Sequence, residues 1–320
     1  MIVLRRNKNI KGVGMYKRSI LITGATGFIG KELCRVLKEK GHEIIILTRN
    51  PEKAKERLSG ITEIKKWSAL KELPPVQTIE KAQAVIHLAG ENISGRWNED
   101  KKRLIRESRI LSTQNIVKAM EEARTRPELF ISASAIGYYG DRGDEILTED
   151  STPGKGFLTD ICKDWEEEAK KAEKLGLRVV RLRIGIVLGP NGGALKEMLF
   201  PFKLGLGGAL GNGKQWMAWI HREDLIGIIL HILQNKDIKG AVNGTAPEPV
   251  QNKVFSKTLG HVLHRPVVFN IPAFALKMLF GEFAEFLLYS ERVLPKRIED
   301  FNYQFRYRTL EPALKECLLK

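Results

Sequence analysis

Short apolar runs alternate with amphipathic helical stretches through the first half of this 320-residue chain. The runs are nearly continuous rather than interrupted by polar residues at every second position, a pattern typical of strands buried on both faces of a sheet. They read SILIT, EIIILT, QAVIHLAG, LFISASA and LRVVRLRIGIVLG. Strands separated by helices form right-handed βαβ units, so the pattern predicts an α/β fold with a doubly wound parallel sheet of the Rossmann type.

The pattern changes after Gly189, where a Gly-rich irregular stretch is followed by one apolar helix and then by short helices and turns. We therefore predict a large nucleotide-binding domain and a smaller C-terminal lobe that forms the wall of a substrate pocket. The predicted NAD(P)-binding domain covers residues 17–190 and is rejoined by residues 222–246, and the lobe covers residues 191–221 and 247–320.

The first residues of the chain, 1–16, are basic and lack the apolar segment and cleavage site of a secretory signal. We expect a disordered extension there, with either Met1 or Met15 as the initiator. No window of about 18 residues is both apolar and uncharged, so no membrane span is predicted. The amphipathic stretch 272–289 is interrupted by charged residues. It is expected to pack on the lobe, and no stable membrane association is predicted.

The formal net charge of +15 raises nucleic acid as a possible partner. The basic residues are scattered among acidic ones, without a dense basic run, so we expect a solvated surface and no nucleic-acid partner. Such a surface also attracts an anionic cofactor or a small anionic substrate. The three cysteines are too few and too far apart for a disulfide framework or a metal site, which favours a reducing cytoplasm. They are Cys34, Cys162 and Cys317.

The stretch TGATGFIG places three glycines between the first predicted strand and a helix. Gly24 would permit a tight turn, Gly27 would let the backbone approach a pyrophosphate, and Gly30 would allow close packing of helix on strand. The amides at the start of the helix would point at negative charge. The predicted pyrophosphate contacts are Gly24, Thr26, Gly27, Phe28, Ile29 and Gly30.

The end of the next strand distinguishes the two nicotinamide cofactors. NAD binding needs an acidic residue there for the ribose 2′-hydroxyl. This chain has Thr48 and Arg49 instead, without a carboxylate. An arginine can hold a 2′-phosphate with paired hydrogen bonds, so NADP is favoured over NAD. The alternative is that Arg49 is only a solvated loop residue.

Together, TGATGFIG, VIHLAGENI, SASAIGYYG, RLRIGIVLG and WIHREDL resemble the extended short-chain dehydrogenase/reductase superfamily. The tail SERVLPKRIEDFNYQFRYRTLEPAL is similar to that of its atypical branch, the nucleoside-diphosphate-sugar epimerase family proteins, and the resemblance runs from Lys17 to the end. It implies a nicotinamide cofactor, a small-molecule substrate and a small C-terminal domain. The further cofactor contacts that it implies are Leu88, Ala89, Gly90, Glu91, Arg96 and Ile186.

The resemblance also implies a catalytic Tyr-x-x-x-Lys pair, which this chain lacks. The tyrosine would fall near Leu158 or Thr159 and the lysine near Cys162 or Lys163. We predict Ser134 and Tyr138 as the replacement catalytic residues; the register is uncertain by one position, so Ala135 is the alternative to Ser134. Tyr139 could supply the phenol instead of Tyr138. For these aromatic residues, packing in a loop is the competing interpretation.

Two functions remain open from the sequence. One is an NADP-dependent oxidoreductase or epimerase-type enzyme that acts on a small, possibly nucleotide-linked substrate. The other is a non-catalytic NADP-binding protein that uses its C-terminal lobe to bind a partner. The missing pair favours the second function, whereas the retained cofactor path and the substrate lobe favour the first. The sequence predicts no oligomeric state.

Overall fold

The computed structural model describes residues 17–319, so the extension expected at residues 1–16 lies outside the described residues. The strands, in chain order, are β1 (Ser19–Thr23), β2 (Glu43–Thr48), β3 (Glu63–Lys66), β4 (Ala84–His87), β5 (Leu129–Ala135), β6 (Ile146–Leu147), β7 (Arg178–Ile184), β8 (Ile186–Leu188), β9 (Ala209–Leu210), β10 (Trp216–Met217), β11 (Trp219–His221), β12 (Gly240–Gly244), β13 (Val250–Gln251), β14 (Asn270–Ile271) and β15 (Arg292–Val293). The α-helices are α1 (Phe28–Glu39), α2 (Pro51–Arg57), α3 (Val76–Glu80), α4 (Glu99–Glu122), α5 (Phe157–Lys170), α6 (Gly193–Lys203), α7 (Arg222–Gln234), α8 (Asn252–Val262), α9 (Ala273–Phe280), α10 (Phe283–Leu287), α11 (Lys296–Asp300) and α12 (Leu310–Leu318).

The central sheet has seven parallel strands in the order β12-β7-β5-β4-β1-β2-β3. Its side chains alternate between two cores. Ile20 and Ile22 of β1 face the core that contains residues of α1 and α7, whereas Leu21 faces the core that contains residues of α4. Because both faces are covered, the strands must be apolar at every position, which explains the continuous runs. The predicted doubly wound fold is confirmed.

The last apolar run, expected as one strand, forms two. It divides at Gly185, after which β8 leaves the central sheet and pairs in parallel with β11. A Cβ atom added at Gly185 would lie 2.6 Å from the carbonyl oxygen of Ala218. The chain can therefore bend here only because the residue has no side chain.

The C-terminal region has a core of its own, built from α6, α8, α12 and the strands between them. Within it, Trp219 and Phe255 are fully buried side chains. The tail then returns to the large sheet, because Ile298 and Phe305 pack in the same core as α7. The range 247–320, expected to form the lobe, thus contains a segment that contacts the sheet.

The amphipathic stretch 272–289 forms α9 and α10. Leu276 and Phe283 are buried, whereas Phe274 and Met278 are about two-thirds or more exposed. This stretch therefore packs on the protein through only one side. Across residues 17–319 no helix combines the length and the apolar character needed to cross a membrane.

Candidate functional site

The glycine loop lies between β1 and α1, at the carboxyl edge of the sheet. The amide of Gly27 donates to the carbonyl oxygen of Gly24 at 3.0 Å and closes the turn. Gly24 has a φ of 71°, and a Cβ atom there would lie 2.7 Å from the backbone of Leu88. A Cβ atom on Gly30 would lie 2.3 Å from the Gly24 oxygen. Both positions therefore require glycine for steric reasons.

Gly27 differs from its two neighbours in the motif. A Cβ atom added there would contact only the Gly24 oxygen, at 3.2 Å, and would otherwise face open space. Gly27 is also the N-cap of α1, and this end of the helix has neither a side-chain cap nor an acidic residue in its first turn. The amides of that turn are thus available to an anion. The loop fits the pyrophosphate of a dinucleotide.

A cavity of about 560 Å³ opens beside this loop, at the ends of β1 to β4. Its size is in the range usual for small-molecule sites. The predicted cofactor residues that line it are Gly24, Thr26, Gly27, Thr48, Arg49, Leu88, Ala89, Gly90 and Glu91. Residues that the sequence did not assign also line it, among them Leu70, Lys71, Leu104 and Ser108. No sequence motif marked them, because they reach the cavity from the loop after β3 and from α4.

Phe28 and Ile29 contribute to this region through their backbone only. The Phe28 ring lies against the turn at Gly192, where an added Cβ atom would be 2.4 Å from the ring. The guanidinium of Arg222 lies over the same ring, 4.8 Å from the ring centroid. Ile29 packs against the core. The side chains of both residues therefore fix α1 rather than line the cavity.

Arg49 is exposed at the mouth of the cavity. It makes no ion pair with any residue in the range 17–319, so its guanidinium is free to bind a phosphate. Next to it, the Trp67 indole donates to the carbonyl oxygen of Glu72 at 3.0 Å. The amide of Ser68 donates to the Glu72 carboxylate, also at 3.0 Å. The loop after β3 is thereby folded over the adenosine side of the cavity.

The loop after β4 is held by a buried histidine that the sequence reasoning missed. His87 Nδ1 lies 2.6 Å from the Thr23 hydroxyl, and Nε2 lies 3.0 Å from the Ser112 hydroxyl. Thr23 also accepts a hydrogen bond from the amide of Ala89 at 3.2 Å. Burial lowers the pKa of His87 to about 3. All these contacts are satisfied by a neutral imidazole with its proton on Nε2, which fixes the backbone at Leu88 and Ala89.

The other residues implied by the resemblance are dispersed. The Glu91 carboxylate pairs with Lys101 at 2.9 Å at the edge of the cavity. Arg96 lies against Gly281 of the C-terminal region, with its Cγ atom 3.5 Å from the position of an added Cβ. Ile186 pairs with Trp219 and donates its amide to the Ala218 oxygen. The structure does not bring Arg96 or Ile186 to the cavity.

The positions of the missing tyrosine and lysine lie on α5. Leu158 packs on the turn after β5, where its Cβ atom is 3.6 Å from the position that a Cβ atom on Gly137 would take. The Cys162 thiol contacts the backbone of Ala135, the last residue of β5. Burial raises the pKa of that thiol to about 12. Lys163 points outward and pairs with Asp160 at 3.6 Å. The face of α5 that meets the end of β5 thus carries neither a phenol nor an ammonium group.

Ser134 is buried in an ionic cluster. Its hydroxyl donates to the Glu166 carboxylate at 2.8 Å, and Arg183 binds the same carboxylate through two hydrogen bonds at 2.8 and 2.9 Å. The guanidinium of Arg183 lies 3.5 Å from the centroid of the Tyr138 ring. It also donates to the Tyr139 hydroxyl at 2.9 Å. Ser134 and Tyr138, the predicted catalytic residues, are therefore brought together around one buried arginine.

A second buried acid approaches from the C-terminal tail. Glu291 is 5 % exposed, and its Oε1 atom has no hydrogen-bond partner among residues 17–319. Burial and the charge of Asp141 raise the pKa of Glu291 to about 8. Its charge also contributes to the raised pKa of the Cys162 thiol. Glu291 thus lies near the lysine position of α5, and the sequence carried no signal for it.

Two family models match the chain. The model of the NAD dependent epimerase/dehydratase family matches residues 20–243, and a domain of unknown function, DUF1731, matches residues 271–317. Among curated proteins, the Arabidopsis thaliana epimerase family protein SDR39U1 homolog, chloroplastic, is 39% identical over 94% of this chain and 86% of its own length. The Bacillus subtilis epimerase family protein YfhF is 37% identical over 94% of this chain and 98% of its length.

Solved structures show the same likeness. The crystal structure of human epimerase family protein SDR39U1 (isoform 2) with NADPH has a TM-score of 0.82 and 34% identity, and covers 93% of this chain and 98% of that one. UDP-glucuronic acid 4-epimerase from Bacillus cereus, in complex with UDP-glucuronic acid and NAD, has a TM-score of 0.76 over 93% of this chain and 97% of that one. At 18% identity this second structure shows a shared fold only.

Proposed function

This chain belongs to the NAD-dependent epimerase/dehydratase family, and on that premise we propose that it is an NADPH-binding oxidoreductase of the short-chain dehydrogenase/reductase type. The observation that carries the proposal is the glycine loop, whose uncapped helix end and open position at Gly27 face the 560 Å³ cavity. Anions bind at such helix ends through free amides and the helix dipole. The proposed substrate is a small molecule, either free or linked to a nucleotide.

The preference for NADP rests on Arg49. Its guanidinium lies at the mouth of the cavity without a carboxylate partner, and the end of β2 offers no acid for a ribose 2′-hydroxyl. A 2′-phosphate would accept paired, charge-assisted hydrogen bonds from this side chain. The human relative was crystallised with NADPH, which supports the same preference.

The bound cofactor would supply hydride transfer, and the chain would supply position and proton transfer. The glycine loop would hold the pyrophosphate, and the loop fixed by His87 would hold the adjacent ribose. We propose Ser134 and Tyr138 as the groups that hold a substrate oxygen. The Arg183–Glu166 ion pair beside both would hold the Ser134 hydroxyl and the Tyr138 ring in position for that contact.

A non-catalytic NADPH-binding protein is the second candidate, and one observation favours it. The Ser134 hydroxyl already donates to a buried carboxylate, and the α5 face that would carry the catalytic pair is filled by Leu158 and Cys162. In this case the cofactor would stabilise a surface that binds a partner. The free, buried cysteines support a reducing compartment for either candidate.

Calorimetric titration with NADPH and NADH tests the cofactor proposal. We expect tighter binding of NADPH to the wild-type protein, and reversal of the preference in Arg49→Asp, since a carboxylate repels a 2′-phosphate and accepts from a 2′-hydroxyl. Arg57→Asp is the matched control, because Arg57 is an exposed arginine at the other end of α2. Equal affinities for the two nucleotides in the wild type would refute the preference, and absence of binding would refute the site.

The two candidate functions are separated by turnover. An oxidoreductase should oxidise NADPH in the presence of a specific carbonyl substrate, followed at 340 nm across a panel of nucleotide-linked and simple carbonyl compounds. Ser134→Ala should then lower kcat far more than it changes NADPH affinity, since a missing acid–base group typically costs about 10²–10⁴-fold. Tight NADPH binding without oxidation across the panel would favour the non-catalytic candidate.

A further inference from the structure

The guanidinium of Arg109, on α4, lies against the loop that follows β4. Nη1 donates to the carbonyl oxygen of Ile105 at 2.9 Å, and Nη2 donates to the carbonyl oxygen of Glu91 at 3.0 Å. A Cβ atom added at Gly90 would lie 3.4 Å from Cζ. The guanidinium is therefore in direct contact with the last part of the predicted cofactor path.

This cation is partly buried and makes no ion pair with any acidic residue that the structure describes. No carboxylate between residues 17 and 319 lies within 4.0 Å of it as an ion pair. Two backbone carbonyls accept two of its five N–H groups. Burial accordingly lowers the pKa of Arg109 from its usual value. Arg183 shows the contrast within the same fold, because it is paired with both oxygens of Glu166. A buried, unpaired cation is costly unless an anion or another acceptor completes it.

The position of the Arg109 guanidinium along the edge of the sheet indicates which hydrogen-bond acceptor it could bind. The cavity on the adenosine side extends past Gly90 and Glu91 to Ser108, the residue before Arg109 on α4. On the other side, Arg109 lies over the ring of Trp165, 5.4 Å from its centroid, and Trp165 belongs to α5, the helix that packs against β5. A dinucleotide bound across the point where the strand order reverses must pass from β1 towards β5. The Arg109 guanidinium lies on that route.

We propose that Arg109 binds the nicotinamide half of the cofactor, by donating hydrogen bonds to the oxygens of its ribose and phosphate. This inference rests on the proposed NADPH function and adds the residue that holds the second half of the molecule. Of the two positions on α5 where the lysine would fall, Cys162 carries no charge and Lys163 is turned outward to Asp160, so the positive charge at this part of the cleft comes from α4. The two bonds to backbone carbonyls keep the guanidinium fork in place before the cofactor arrives.

Two probes distinguish the halves of the cofactor. NADPH contains both halves, whereas adenosine 2′,5′-bisphosphate contains the adenosine half with its 2′-phosphate and lacks the nicotinamide ribose. The affinities of wild type, Arg109→Met and Arg109→Lys for both probes are measured by calorimetry. Arg106→Met is the matched control, because Arg106 lies one turn earlier on α4, is about half exposed and pairs with Asp164.

We expect Arg109→Met to bind NADPH about tenfold or more weakly, because methionine cannot donate the charge-assisted hydrogen bonds that the guanidinium would make to the cofactor oxygens. Its affinity for the bisphosphate should stay within about twofold of wild type, and Arg109→Lys should recover part of the NADPH affinity. The emission of bound NADPH gives a second readout. Its nicotinamide fluorescence should be enhanced in wild type and in Arg106→Met, but less in Arg109→Met.

Two results would overturn the proposal. Equal weakening of both probes in Arg109→Met would mean that Arg109 only holds the loop at Glu91, and unchanged binding of both would mean that it does not contact the cofactor. If Arg109→Met does not unfold in a cooperative thermal transition, the variant is misfolded and Arg109→Lys takes its place in the comparison. Equal losses of affinity for the two probes in Arg109→Lys would likewise refute the proposal. Wild-type protein that binds neither probe would instead refute the proposed function itself.

Discussion

Replacing Glu291 by glutamine should make the protein more stable at neutral and alkaline pH. The side chain is 5 % exposed, one of its oxygens lacks a partner in the described part of the chain, and Asp141 adds a second negative charge nearby. Cys162 and Tyr289 are the other titratable groups that its charge influences. Glutamine has the same shape and cannot ionise, so the substitution removes the cost of a buried charge without opening a cavity.

The size of the effect follows from the two pKa values of the carboxyl group, 4.5 as its ordinary value and about 8 in the folded protein. Below pH 4.5 both states hold the proton, and Glu291 does not change the stability. Between pH 4.5 and 8 the unfolded chain releases the proton while the folded chain retains it, so stability falls as the pH rises. At about 1.4 kcal/mol per pH unit, the loss is about 3 kcal/mol at pH 7 and levels off near 5 kcal/mol above pH 8.

Thermal unfolding of wild type and Glu291→Gln between pH 5 and pH 9 tests this reasoning. For a chain of this length, 1 kcal/mol corresponds to about 1.5 °C in Tm, so the variant should melt about 4 °C higher at pH 7 and within about 1–2 °C of wild type at pH 5. Glu197→Gln, the same change on the exposed face of α6, should have no pH-dependent effect. A difference in Tm that is constant across this pH range would refute the buried-charge explanation.

Three further changes test other parts of the site. In Gly30→Ala the new Cβ atom would lie 2.3 Å from the carbonyl oxygen of Gly24. The variant should be destabilised by about 1–3 kcal/mol in urea unfolding and should bind NADPH more weakly in calorimetry. Arg183→Met leaves the buried Glu166 with only the Ser134 hydroxyl and a longer ion pair with Arg181 at 3.8 Å. It should cost about 3–5 kcal/mol in urea unfolding, more than Ser134→Ala, and equal losses would contradict the cluster. Because the pKa of His87 is low in the folded state, its contribution to stability falls as the pH drops below 6.5, by about 2 kcal/mol at pH 5. The difference in unfolding free energy between wild type and His87→Gln should therefore shrink by about 2 kcal/mol between pH 7 and pH 5, whereas the Glu291 contribution is common to both proteins and cancels.

The parts of the fold that follow from local sequence were predictable. A strand buried on both faces must be apolar at every position, so the runs that became β1, β2 and β5 were visible without any tertiary information. The glycines at 24 and 30 were equally visible, because the turn and the helix contact they allow lie within one motif.

The features that were missed depend on contacts between distant parts of the chain. Gly185 breaks a continuous apolar run because the carbonyl oxygen of Ala218 approaches it, and no local pattern records that approach. Arg109 reads as one more charged residue of a long surface helix until α4 is placed beside the loop at Glu91. Glu291 reads as a polar tail residue until the tail packs near α5. Sequence patterns specify the elements, whereas their packing selects which charges become buried.

The distribution of those buried charges bears on how this chain could still perform chemistry. The face of α5 that meets the end of β5 offers Leu158 and Cys162, which have no acid–base capacity at neutral pH because the thiol pKa is about 12. The charge of Arg109 on α4 lowers the pKa of that thiol, and the charge of Glu291 from the C-terminal tail raises it. The ionisable groups near the ends of β5 and β7 therefore come from four elements: Arg109 of α4, Glu166 of α5, Arg183 of β7 and Glu291 of the C-terminal tail. An active site at this edge would combine all four elements, so the tail would be part of it even though the glycine loop and the cavity lie elsewhere on the sheet.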